Sequence, residues 1–237
     1  MLKRGEIEEI LRNAERIDLE VGKKYGSLTE KIFKKYTLFG AEKHRYALNP
    51  PIDGAIVQNA EERYNFSLPS DYFEFITKVG DGGAGPDYGI DRFADFIAES
   101  NKMNGYAEVY RKSLALPFEV RSMLPEEVEE YAFSRESYEK EPENYFVYER
   151  DHGDDEWETS GFYVLGTHGC QWDFGLITSG DRRGQVFDTD NEGACYFIAG
   201  SFEEFYGQWL ERRADTENFR NELIKRHEIF ANRPKIK

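Results

Sequence analysis

A chain of 237 residues and 27.6 kDa can close one large core, or one ordinary domain plus an extension. Its aromatic content of 15% is far too much large apolar surface for a disordered chain, and its net charge of -15 argues against phosphate backbones and anionic bilayers as ligands. The two cysteines, Cys170 and Cys195, suit neither a disulfide framework nor a paired-cysteine zinc site, and no run approaches the ~18 apolar residues of a membrane span, so a soluble cytoplasmic protein is expected.

In chain order, Ile7, Ile10, Leu11, Ala14 and Ile17 recur at helical spacing, as do Leu28, Ile32, Phe33, Tyr36 and Phe39, which predicts two amphipathic helices. LNPPIDG at 48–54 breaks that pattern, so residues 1–47 read as a helical extension ahead of a main domain over 48–213. A helix is expected over 55–64. Ser70 then offers a cap for a second one that places Tyr72, Phe75, Ile76 and Val79 on one face. DGGAGPDYGI is a glycine-rich turn, and Asp91 is placed to cap a helix carrying Phe93, Phe96 and Ile97.

Residues 122–160 hold 14 acids against 3 bases, a local charge of -11. This acidic insert reads as surface: a short helix from Pro125, polar loop, and a strand at Tyr145–Tyr148. GFYVLGT, DFGLITSG, GQVFDTD and ACYFIAG then predict an antiparallel meander. Ser201 and Glu204 form a capping box before Phe202, Phe205, Tyr206, Trp209 and Leu210, and residues 214–237 read as a last helix and basic tail. The expected class is α+β, with a central antiparallel twisted sheet flanked by helices.

The succession LPSDYFEFITKVGDGG, GFYVLGTHGCQWDFGLITSGDRRGQVF and SFEEFYGQWL resembles the SUKH superfamily, which includes the Smi/Knr yeast cell-wall regulators. The resemblance spans about 55–213. It implies a binding protein rather than an enzyme, and in bacteria an immunity protein that blocks a cognate polymorphic toxin, commonly a nuclease or deaminase. A regulatory scaffold without a toxin partner is the alternative. Leu68, Pro69, Gly82, Gly83, Gly166, Gly169 and Phe202 match as fold determinants, not as a site.

Residue chemistry points the same way. Cys170 in THGCQWD has His168 and Asp173 nearby, but Gly169 between Cys170 and His168 suggests a turn that would part a nucleophile from its base. The four histidines are scattered. Asp151, Asp154 and Asp155 lack the ligand spacing of a calcium loop, and the glycine turn lacks the Lys-Ser or Lys-Thr of a phosphate cradle. No cofactor or metal is expected. Carboxylates interleaved with Tyr131, Phe133, Tyr138, Tyr145, Phe146, Tyr148 and Trp157 suit an interface for a basic protein, where charge speeds encounter and aromatics anchor. The expected partner-binding residues are Glu149, Asp151, Asp154, Asp155, Glu156, Trp157 and Glu158, with no nucleic acid or membrane partner; the oligomeric state is left open.

Overall fold

The computed structural model describes residues 2–25, 35–98, 106–131, 133–148, 161–190 and 193–231. Helix α1 (Arg4–Tyr25) carries the predicted stripe: Ile7, Leu11, Ala14 and Ile17 are buried and Ile10 is half-buried, and Val21 extends the buried face. Of the second predicted helix, Leu28, Ile32 and Phe33 lie outside the described residues. Tyr36 lies in irregular backbone and Phe39 in a turn before the four-residue helix α2 (Ala41–His44), not on a helix. Buried Asp18 of α1 holds that path: it accepts the backbone N–H groups of Thr37 (2.7 Å) and Leu38 (3.2 Å) and the Tyr46 hydroxyl (2.8 Å). Burial pushes the Asp18 carboxyl up, against the pull of these donors.

Helix α3 (Gly54–Tyr64) is capped by Asp53, whose side chain accepts from Ala55 N–H. Helix α4 (Ser70–Glu74) continues as one π-helical turn over Phe75–Val79, and Tyr72, Phe75, Ile76 and Val79 are buried as the spacing predicts. Ser70 is not its cap. The helix starts at Ser70 itself after Pro69, and no side chain caps it.

Asp91 does not cap α5 (Phe93–Ile97) either. Buried Asp81, in the glycine turn, accepts from Phe93 N–H (2.7 Å) and Ala94 N–H (3.2 Å). A carboxylate twelve residues upstream is invisible to a search for adjacent caps, because the turn between them folds back. Gly83 makes that return possible: it bridges Leu48 and Ile90, has φ +110°, and a Cβ there would lie 2.4 Å from the Ala47 carbonyl oxygen. Gly166 lets the same turn rest on the sheet, since its Cβ would fall 2.3 Å from the Gly89 oxygen.

After α6 (Tyr106–Ser113), the sheet takes the spatial order β1 (Val120–Ser122), β2 (Tyr145–Tyr148), β6 (Ala194–Ala199), β5 (Val186–Asp190), β4 (Trp172–Ile177), β3 (Phe162–Gly169), every neighbouring pair antiparallel. The last four strands are the predicted meander. The first two extend it beyond the meander, and β1 was not foreseen. Helix α7 (Arg135–Lys140) stands where a loop was expected, and residues after Pro125 form turns rather than a helix.

Alternation divides the sheet faces. Tyr163, Leu165, Phe174, Leu176 and Val186 join the main core with α1, α4 and α8 (Phe202–Ala214), where Ser201 caps through Glu204 N–H at 3.0 Å. Phe202, Phe205 and Trp209 are at most 8% exposed, as expected from their spacing. The opposite face gathers Phe146, Tyr148, Phe162, Ile177, Phe187 and Phe197 around Phe118, and the Arg182 guanidinium lies 4.4 Å from the Phe146 ring centre. Helix α9 (Thr216–Ala231) packs on α1 and α8 through Phe219 and Leu223, so both ends of the chain share the main core.

A candidate protein-binding site

The acidic insert is built on a small core of its own. Tyr138, Tyr145, Val147, Met123 and Val128 are buried with Ala194 on the helix side of β2 and β6, and Tyr131, Phe133, Trp172 and Tyr196 pack against them. Phe133 meets Tyr145 edge-on at 4.9 Å between ring centres, and the Tyr138 hydroxyl donates to the Met123 carbonyl at 3.0 Å. Six of the seven aromatics read as interface anchors are thus core or half-core residues. Their alternation with acids is that of a lobe with carboxylates outside and rings inside. Trp157 lies outside the described residues, as do Glu149, Asp151, Asp154, Asp155, Glu156 and Glu158.

The lobe's described surface is acidic nonetheless. Arg121 grips Glu127 with two bonds of 2.7 and 2.8 Å, which holds that carboxyl below its ordinary range. Glu129 pairs with Arg135 and Glu136 with Lys140. Glu126, Glu130, Glu139 and Glu143 are exposed and enter no ion pair among the described residues.

Where the glycine turn meets the sheet, the structure assembles a constellation the sequence does not announce. Nδ1 of His168 lies 2.7 Å from Asp87 Oδ2, and its Nε2 lies 2.8 Å from Asp188 Oδ1. A ring nitrogen bonded to a carboxylate must donate, so this geometry requires the imidazolium form. Burial opposes that charge. The hydrogen bonds with Asp188 and Asp87 outweigh it and raise the His168 pKa to about 9. Phe174 supports the ring, with centres 3.8 Å apart. Asp173 is close enough to feel the imidazolium, and burial pushes its carboxyl up.

This arrangement disposes of the thiol-imidazole pair. His168 spends both nitrogens on carboxylates, whereas Cys170 is exposed at φ +53° in the two-residue turn of the β3–β4 hairpin. An imidazolium without a free nitrogen cannot take a thiol proton. The partners of His168 stand 81 and 20 residues away, beyond the reach of any local motif. One signal was present for Asp188: it alternates onto the same strand face as the buried Val186 in the run GQVFDTD. Among the described residues no cluster of three or more His, Cys, Asp or Glu side chains is placed to hold a metal, and no helix is long and apolar enough to cross a membrane.

The fold and these surfaces define an α+β domain with an antiparallel sheet, a glycine turn seated on its end and an acidic lobe on its flank. The chain belongs to the SMI1 / KNR4 family (SUKH-1), whose family model matches residues 51–208. That family is known for binding and immunity proteins rather than for catalysis. No curated protein matches the chain.

Proposed function

We propose that the chain is an immunity protein, which binds and neutralises a cognate bacterial polymorphic toxin whose domain is basic, a nuclease or deaminase, and which does so without catalysis. Family membership carries this reading. The lobe carboxylates that enter no ion pair among the described residues support a basic partner, because a one-signed field speeds encounter with the opposite sign and repels nucleic acid. In this reading the 122–160 segment shapes the field, with Glu149, Asp151, Asp154, Asp155, Glu156 and Glu158 adding to it and Trp157 as an anchor. Residues 1–47 and 214–237 are additions to the 48–213 domain, and the protein works in the cytoplasm.

The test is co-expression with toxin domains encoded beside this chain's gene, scored by growth, followed by binding kinetics. Neutralising Glu126, Glu130, Glu139 and Glu143 together with the acids of 149–158 is expected to slow association about tenfold at low salt and to flatten its salt dependence. Trp157→Ala is expected to quicken dissociation instead. If no such toxin is neutralised, the chain is a scaffold of the Smi/Knr kind.

A further inference from the structure

Backbone strain and an exposed aromatic pair meet at one corner of the molecule. Asp87 (φ +46°), Cys170 (φ +53°) and Gln171 (φ +74°) all hold left-handed conformations that side chains disfavour. Phe39, 40% exposed, contacts the half-buried Tyr88 edge-on with ring centres 5.0 Å apart. Tyr88 rests on the hairpin: a Cβ on Gly169 would lie 3.0 Å from its Cε2. Gly40, next to Phe39, approaches so closely that its Cβ would fall 1.9 Å from the Asp87 carbonyl oxygen. Two aromatics and the Asp87 carboxylate, on two segments distant in sequence, are therefore pinned together against the β3–β4 hairpin.

The charges around them are oriented in advance. Asp87 gives one oxygen to His168, and its other oxygen has no partner among the described residues; the same holds for Asp188. Asp91 pairs with Lys43 at 2.9 Å on the neighbouring side. Counting Asp87, Asp91, Asp173 and Asp188 against Lys43 and His168, the corner keeps an excess of negative charge.

We propose that this corner receives an arginine side chain of a protein partner, with the guanidinium stacked on the exposed Phe39 ring, which Tyr88 braces edge-on, and donating to the free oxygen of Asp87. Arginine is the side chain that can do both at once, since its planar cation binds an aromatic face while its fork donates to a carboxylate. Lysine offers a compact, strongly hydrated charge and no plane to stack. The surface deepens the immunity reading by naming a contact the toxin would make, and it rests on that reading only for the partner's identity.

The test is an NMR titration of the full chain with N-acetyl-arginine amide, with N-acetyl-lysine amide and potassium chloride at equal ionic strength as controls. Ring resonances of Phe39, Tyr88 and His168 are expected to shift saturably with the arginine derivative, with a midpoint on the order of 10 mM. Affinity should fall at least about threefold in Phe39→Ser and in Asp87→Asn, and lysine amide should bind more weakly than arginine amide. Phe39→Ser keeps both carboxylate partners of His168, and an unchanged His168 ring titration in that variant separates lost stacking from a loosened turn. Shifts that do not saturate, that potassium chloride reproduces, or that survive both substitutions overturn the site. With a neutralised toxin in hand, equal protection by the Phe39→Ser/Asp87→Asn double variant would overturn this surface and leave the immunity reading standing. Should wild type protect against no toxin, the immunity reading fails while the arginine titration still decides the site.

Discussion

The helix-covered half of the sheet and the acidic lobe both bury aromatic rings, yet they do so by different rules. In the first, Phe202, Phe205, Tyr206 and Trp209 repeat at helical spacing on one helix that spans the sheet, and each is buried. In the second, Phe133 comes from the irregular segment ahead of a six-residue helix, Tyr138 from that helix and Tyr145 from a four-residue strand. A face spread over three short pieces has no period to read, so rings and acids in alternation look like an exposed interface. The lesson is physical: period reports burial only where one element is long enough to present the whole face.

The comparison breaks most sharply if the two cores do not contribute in proportion to their size. Trp209→Ala is expected to cost about 3–5 kcal/mol in urea or guanidinium unfolding, as a large deletion from the main core. A cost under about 1 kcal/mol would mean that the α8 face does not seal the sheet. Tyr145→Ala, which removes a ring shared by Phe133, Tyr138 and Tyr196, should cost about 2–4 kcal/mol by the same measurement. Were the lobe a mere solubility feature, the loss would stay within about 0.5 kcal/mol, as for an ordinary surface position.

Next comes the hinge between the glycine turn and the sheet. His168 has a folded pKa of about 9 against an ordinary 6.5, so the folded state binds its proton more tightly. The resulting stability is fully present below pH 6.5 and is lost as pH rises through 9. Buried tyrosines destabilise both proteins alike near pH 10, so the His168 contribution is read as a difference: after discounting for partial exposure, wild type should lose about 2 kcal/mol more than His168→Gln between pH 7 and 10. A His168 ring resonance titrating near its ordinary value would show that the two carboxylates do not hold the imidazolium. The smallest effect belongs to the lobe's outer surface. Glu126, Glu130, Glu139 and Glu143 changed together to Gln should alter stability by no more than about 0.5 kcal/mol while slowing partner association. A larger stability change would place those carboxylates in the fold rather than in recognition.

Long elements were legible before any coordinates: α1, α3, α4, α8, α9 and the meander β3 to β6 follow from hydrophobic period, capping residues and glycine-bounded apolar runs. So were the α+β class and the family, because the order of degenerate motifs survives where each alone is weak. The tertiary structure alone decided which residue caps α5, where β1 and β2 join the sheet, and that lobe aromatics turn inward. It also decided what His168 does. Asp81, Asp87 and Asp188 reach their partners across chain separations of 12, 81 and 20 residues. Hydrogen bonds and charge pairs depend on distance in space, whereas periodicity records only the neighbours along one element. Contacts made across a folded turn therefore leave no local pattern to read.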